Sequence, residues 1–199
     1  MSRGRGRPRN PGTDRVILKA ALELFIERGF EGTSIEQIAK QAGVGKLTVY
    51  RRWAGKEELL PHAIEELVAQ AVPWPSDEEI AAASPSDLVE AALDAAAATA
   101  SDSRFRALIA RVLGSSVSNP ALMAAYWKHY LLPRRELTKR LLGRAQEQGT
   151  VPADADLDVL IDMMAGAVMY RVLQPDPPDR TQMVRFLRHV YRQVGLLAT

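Results

Sequence analysis

The chain has 199 residues, 47% of them hydrophobic, no cysteine, and a formal net charge of +2. That length suits one large or two small domains with a core that needs no staples, and the lack of cysteine excludes disulfides, thiolate metal sites and cysteine nucleophiles while leaving the redox compartment open. No apolar run approaches the ~20 residues that cross a bilayer, and the arginine-rich start has no apolar stretch behind it, so neither a span nor a secretory signal is expected and the expected compartment is the cytoplasm.

The small net charge hides an asymmetry. Residues 1–56 hold 12 Lys or Arg against 5 acids, a balance of +7, whereas the rest hold 14 against 19, a balance of −5. A basic N-terminal module on an acidic body is the footprint of a polyanion binder with a separate task elsewhere. A membrane surface would want the same charge beside a large apolar face.

Residues 1–12 carry Arg3, Arg5, Arg7 and Arg9 among glycines and prolines, a composition that cannot bury enough surface to fold and reads as a flexible arm. Arg5-Gly6-Arg7-Pro8 resembles the core of an AT-hook, in which two arginines lie in the minor groove of A·T-rich DNA; a tail adding nonspecific phosphate contacts fits the same residues. Thr13 or Asp14 can cap the next helix, whose stripe Ile17, Ala21, Leu24 and Phe25 runs to Arg28 before Gly29 stops it and Phe30 folds back.

Thr33 and Glu36 have the spacing of a capping box, so a second helix is expected from about Ser34, with Ile35, Ile38, Ala39 and Ala42 on one face. Gly43 ends it, because glycine turns left-handed at little cost. A third helix is expected over Lys46–Trp53, with Val49 and Trp53 inward and Lys46, Leu47, Thr48, Tyr50, Arg51 and Arg52 outward. Such a cationic, donor-rich face suits the major groove, and the pair reads as a helix-turn-helix. A helical hairpin with a solvated basic face is the plainer reading of the stretch.

A helix from Lys56 to about Val72 should bury Leu59, Leu60, Ala63, Ile64, Leu67 and Val68, with Pro61 kinking it. Pro73 to Ser84 reads as a loop with at most one short helical turn. Ser84-Pro85-Ser86-Asp87 is a helix start reaching about Ala100. Ser101-Asp102-Ser103 opens another, with Phe105, Leu108, Ile109, Val112 and Leu113 inward. Asn119-Pro120 opens a long helix toward Gln148 unless Pro133 interrupts it, Gly149 then capping it. Over 154–173, Leu157, Leu160, Ile161, Met164, Ala165, Val168, Met169, Val172 and Leu173 keep a helical repeat while Met163, Gly166, Ala167 and Tyr170 make the other side apolar too. A helix apolar all round needs cover on every side, part of it expected from a second subunit. The last helix, about Arg180–Leu197, has Met183, Phe186, Leu187, Val190, Tyr191 and Val194 inward and Arg185, Arg188 and Arg192 outward.

Gly43, Val44, Lys46, Thr48, Val49, Tyr50 and Lys56, with Thr33, Ile38 and Ala39 before them, closely resemble the DNA-binding signature of the tetracycline-repressor (TetR) family of bacterial transcriptional regulators. Specific motifs cover about 14–64, and the remainder is similar only in helical layout. Gly45 and Gly55 depart from the polar caps usual there. The resemblance implies an all-α chain with a helix-turn-helix DNA-binding module over 13–56 and an effector-binding and dimerisation domain over 57–199, paired with a second copy through its last two helices. It implies a regulator whose Lys46, Leu47 and Thr48 contact bases, with Tyr50, Arg51, Arg52, Thr33 and Lys56 on phosphates. It also implies a small effector among the middle helices, where Phe105, Met123, Tyr126, Trp127, Tyr130, Met163 and Tyr170 offer soft, part-polar lining for an apolar or weakly polar ligand; ordinary core packing fits the same residues.

No catalytic, metal or cofactor site is expected. His62, His129 and His189 stand apart, Asp154, Asp156 and Asp158 lack the glycine and glutamate of a calcium loop, and Gly114-Ser115-Ser116 has no nucleophile-elbow pattern. The expected function is a ligand-responsive homodimeric repressor on a near-palindromic operator. Its rival is a DNA-coating protein with A·T or no preference and no effector.

Overall fold

The computed structural model describes residues 11–69 and 75–198. The arm with Arg5 and Arg7, the loop residues 70–74 and the side chain of Val68 lie outside the described residues. Among the described residues every regular element is helical, as the periodicity requires.

The chain divides into two compact units, residues 1–70 with 111–126, and 71–110 with 127–199. The first therefore takes in two segments that the motif boundary at residue 56 assigns to the body. It contains α1 (Pro11–Arg28), α2 (Ile35–Gln41), α3 (Lys46–Tyr50), α4 (Lys56–Ala69) and α8 (Pro120–Tyr126). α4 packs against both α1 and α8, α2 against α1, and α3 against α2. Ile17, Phe25, Ile38, Val49, Leu59, Leu60 and Ile64 are fully enclosed there. The first three helices alone hold too few apolar side chains for an independent core, and α4 supplies the missing layer. α4 runs through Pro61 uninterrupted. Arg111, at the start of the 111–126 segment, donates to the carbonyls of Ile26 (3.4 Å) and Glu27 (3.0 Å), placing a cation where α1 leaves its last acceptors unpaired.

The second unit contains α5 (Asp77–Ala82), α6 (Pro85–Ser101), α9 (Leu132–Glu147), α10 (Leu157–Val172) and α11 (Arg180–Gln193); α7 (Ser103–Gly114) contributes its residues 103–110. Its core joins Val89, Leu93 and Ala97 of α6 to Leu142 of α9, Ile161 and Met164 of α10, and Met183 and Leu187 of α11. Ser84 caps α6 with Pro85 in its first turn, and Asp179 closes a capping box on α11. The long helix expected from Asn119 divides instead into α8, a π-helical turn over Trp127–Leu131, and α9. Pro133 explains the division: it has no N–H to donate, and its ring would crowd the carbonyl four residues back at His129, so the preceding turn widens.

Candidate DNA-reading site

The entry to α2 differs by one residue from the expected capping box. Ser34, not Thr33, is the cap: its hydroxyl accepts from the Gln37 N–H (3.3 Å) and the Gln37 side chain accepts from the Ser34 N–H (3.0 Å). Thr33 is 1% exposed and donates its hydroxyl to the Gly29 carbonyl at 2.7 Å. Its assignment as a phosphate contact is thereby corrected, since the side chain is enclosed and occupied in joining the end of α1 to α2. Glu36, relieved of capping, projects outward.

Gly43 sits at φ 65°, and the N–H groups of Gly43 and Val44 return to the carbonyls of Lys40 (3.2 Å) and Ala39 (3.0 Å). That closes the end of α2 and sends the chain into α3. Gly45 precedes α3 without a side-chain cap, as its lack of a hydroxyl dictates. The α-helix proper ends at Tyr50, but hydrogen bonds from Arg52 and Trp53 to the Val49 carbonyl (2.9 and 3.1 Å) carry the turn to the expected endpoint. Val49 and Trp53 are buried as expected. The Trp53 indole N–H donates to Nδ1 of His62 at 2.8 Å, tying the reading segment to α4.

With that face anchored, α3 and its C-cap present Lys46, Leu47, Tyr50 and Arg51 to solvent, Leu47 at 71% exposure and Tyr50 at 45%; Thr48 beside them is half-buried. A leucine so exposed on so short a helix has no role in the core of this chain. Lys46 pairs with the Glu36 carboxylate and lies 5.6 Å from the centre of the Tyr50 ring. Hydrogen bonding within the pair lowers the Glu36 carboxyl below the ordinary carboxylate range and raises the Lys46 ammonium.

Two cations assigned to phosphates are turned inward. Arg52 pairs with Asp14 of α1, donates to the Thr48 carbonyl at 2.9 Å, and keeps 14% side-chain exposure. Lys56 donates to the Phe30 carbonyl at 2.8 Å, covers the Phe30 ring at 4.3 Å and stands 4.0 Å from Glu31. In the DNA-free chain both act as braces, one joining α3 to α1 and the other joining the start of α4 to the α1–α2 loop. Asp14, Glu36 and His62, which the sequence names only in other roles, are the partners of Arg52, Lys46 and Trp53. Their own signal is weak, because each meets its partner through the fold and not through a local spacing.

The residues expected to line an effector site are not all brought together. Met163 and Tyr170 are 62% and 75% exposed on the outer side of α10, which corrects their assignment to a pocket lining. Tyr126 is buried and Met123 half-buried within the DNA-reading unit. In the body, Phe105 and Tyr130 meet at 5.4 Å between ring centres with a 46° tilt. The Arg134 guanidinium lies 3.5 Å over the Tyr130 ring, and that of Arg135 lies 5.7 Å from the Trp127 ring. Burial pushes the Tyr130 phenol up, with Arg134 opposing. Among the described residues no group of three or more His, Cys, Asp or Glu is placed to hold a metal, and no helix is long and apolar enough to cross a membrane.

A helix pair with one enclosed and one cationic face, supported by α1 and α4, is a helix-turn-helix DNA-binding module. Comparison with known proteins carries this to a family. Residues 17–63 match the family model of bacterial regulatory proteins of the tetR family, and residues 85–190 match the tetracyclin repressor-like C-terminal domain. The chain is 31% identical over 173 residues to the uncharacterized HTH-type transcriptional regulator YdeS of Bacillus subtilis (strain 168), covering 87% of this chain and 84% of that one. Its fold is similar to that of GusR from Salmonella enterica (TM-score 0.68, 22% identity, 96% and 98% of the two chains). It is also similar to that of FadR from Bacillus subtilis solved with stearoyl-CoA (TM-score 0.69, 19% identity, 90% and 96%). The chain belongs to the TetR family and is a DNA-binding transcriptional regulator.

Proposed function

We propose that this regulator is a ligand-responsive homodimeric repressor of a near-palindromic operator. The observation that supports the reading most is the outward row Lys46, Leu47, Tyr50 and Arg51 on a helix whose Val49 is enclosed. Lys46, Leu47 and Thr48 are the base contacts of this proposal, the lysine for guanine acceptors and Leu47 and the threonine methyl for thymine methyls. Tyr50 and Arg51 hold phosphates, with Arg52 and Lys56 keeping the reading helix at its angle. Arg5 and Arg7 would add minor-groove or phosphate contacts from the arm.

Pairing of the last two helices with a second copy is supported by α10. Val159, Met163, Gly166, Tyr170 and Leu173 form an exposed row along and just beyond α10, alternating four and three residues apart, the spacing with which one helix packs along another. A second copy of this face covers it symmetrically and would set two copies of α3 about 34–36 Å apart, one turn of DNA, or a multiple. For the effector, an apolar or weakly polar molecule fits Phe105, Trp127 and Tyr130, and the stearoyl-CoA held by FadR gives the first compound to try. Effector binding would favour a body state whose readers no longer match the operator spacing. Footprinting on DNA flanking the protein's own coding region tests the reading: two protected half-sites about a dyad are expected, cleared by a binding effector, and unphased coating of the fragment would contradict it.

A further inference from the structure

Lys46 and Glu36 meet between two anchored helices. Ile35, Ile38 and Ala39 hold α2 in the core and Val49 holds α3, so the carboxylate in the first turn of one helix faces the ammonium at the first residue of the other across a fixed angle. The Tyr50 ring also lies near the ammonium. Both groups are about half exposed, at 49% and 60%, and such pairs contribute little to stability. Placing a carboxylate on a face that approaches a polyanion opposes association with every sequence alike. Neither stability nor general affinity accounts for it.

Discrimination does. An unpaired lysine neutralises a phosphate wherever it lands, releasing a counterion and adding equally to the affinity for all DNA. An ammonium has three donors; with one directed to Glu36, two remain for the O6 and N7 acceptors of a guanine. We propose that Glu36 is a positioning and specificity-determining residue of this DNA reader: it holds Lys46 toward the base edges and withholds it from phosphates, so that its charge counts only where a guanine takes it up. The inference rests on the reading of α3 as the operator-contacting helix. Arg52 follows the same pattern, paired with the Asp14 carboxylate, and Lys56 is held by the Phe30 carbonyl with Glu31 at 4.0 Å. The face thus has less charge available to nonspecific DNA than its sequence advertises.

The test measures binding of the full chain to its operator and to a random duplex across a salt series, for wild type, Glu36→Gln, Glu36→Asp, Lys46→Ala and Glu36→Gln/Lys46→Ala. Glu36→Gln should bind the random duplex several-fold tighter at physiological salt, with a log–log salt slope steeper by about 0.9 per reading helix, and its operator-to-random ratio should fall. Glu36→Asp should restore the wild-type slope. In the Lys46→Ala background the Glu36→Gln change should leave the slope where Lys46→Ala put it, the signature of coupled residues. An unchanged slope for Glu36→Gln overturns the proposal. So does equal steepening with and without Lys46, which would make the carboxylate a simple repeller of phosphate. The wild-type ratio reports separately on operator reading itself, so a ratio near one with the expected slope change would sink that reading while leaving the pairing intact.

Discussion

The two compact units use charge and apolar surface in opposite ways. In the DNA-reading unit the large side chains Phe25, Ile38, Val49 and Trp53 are enclosed, and what α3 exposes is mostly polar or cationic. In the body the charges are matched across helices, Arg180 with Asp94 and Arg188 with Glu90 between α11 and α6, Arg135 and Lys139 with Asp158 between α9 and α10. α10 there also leaves large apolar side chains open, Met163 and Tyr170 among them. The contrast teaches that the reader leaves mostly polar and cationic groups open on α3, whereas the body leaves an apolar row open along α10.

The largest effect that separates the two is expected from the enclosed side. Phe25→Ala removes a ring with no solvent exposure and should cost about 3–5 kcal/mol, read by urea unfolding, with DNA binding lost in step. Next comes the open side. Tyr170→Glu or Met163→Glu places a charge in a surface that a second copy of α10 would otherwise bury, and sedimentation should show the dimer dissociation constant rising at least ~100-fold, with helical content unchanged. If the dimer persists, the exposed row is not its seam.

Smaller effects divide the reading face itself. Lys46→Ala should lower the operator-to-random ratio about tenfold or more, because it removes a base contact. Tyr50→Phe removes a phosphate contact and should weaken all sequences alike. Equal loss of specific and random binding for Lys46→Ala would move that lysine to the phosphates. The smallest effect is that of pH on the body. Hydrogen bonds from Arg188, Arg180 and Lys139 hold the carboxyls of Glu90, Asp94 and Asp158 below their ordinary values. Each therefore titrates lower folded than unfolded. Their contribution is whole above the ordinary carboxylate range and fades as pH falls through the depressed folded values. These groups face water, so thermal unfolding should show a slight decline on acidification that salt masks.

Features written in local spacing are legible in the residues themselves. Ser84, Pro85 and Asp87 announce α6, Gly43 the turn, and the periodicity of Val49 and Trp53 the inward side of the reading helix. The whole family resemblance rests on such a stretch. The capping box falls one residue later than its spacing suggests because Thr33 and Ser34 are adjacent hydroxyls with Glu36 and Gln37 at matching distances, and only packing decides which is enclosed. Arg52 and Lys56 read as phosphate contacts because their partners, Asp14 and the Phe30 carbonyl, lie 38 and 26 residues away. Met163 and Tyr170 look like pocket lining in a one-dimensional pattern, since apolarity does not say which side of α10 the neighbouring helices take. Pro133 is visible as an obstacle, but not that a π-helical turn would absorb it.

The most direct measurement is the affinity of the purified protein for DNA from beside its own coding region against a random duplex, followed across a salt series. An operator reader should give a specificity ratio of ~10³ or more that persists at physiological salt. A ratio near one, with affinity collapsing as salt rises, would contradict that function and leave a protein that coats DNA without reading it.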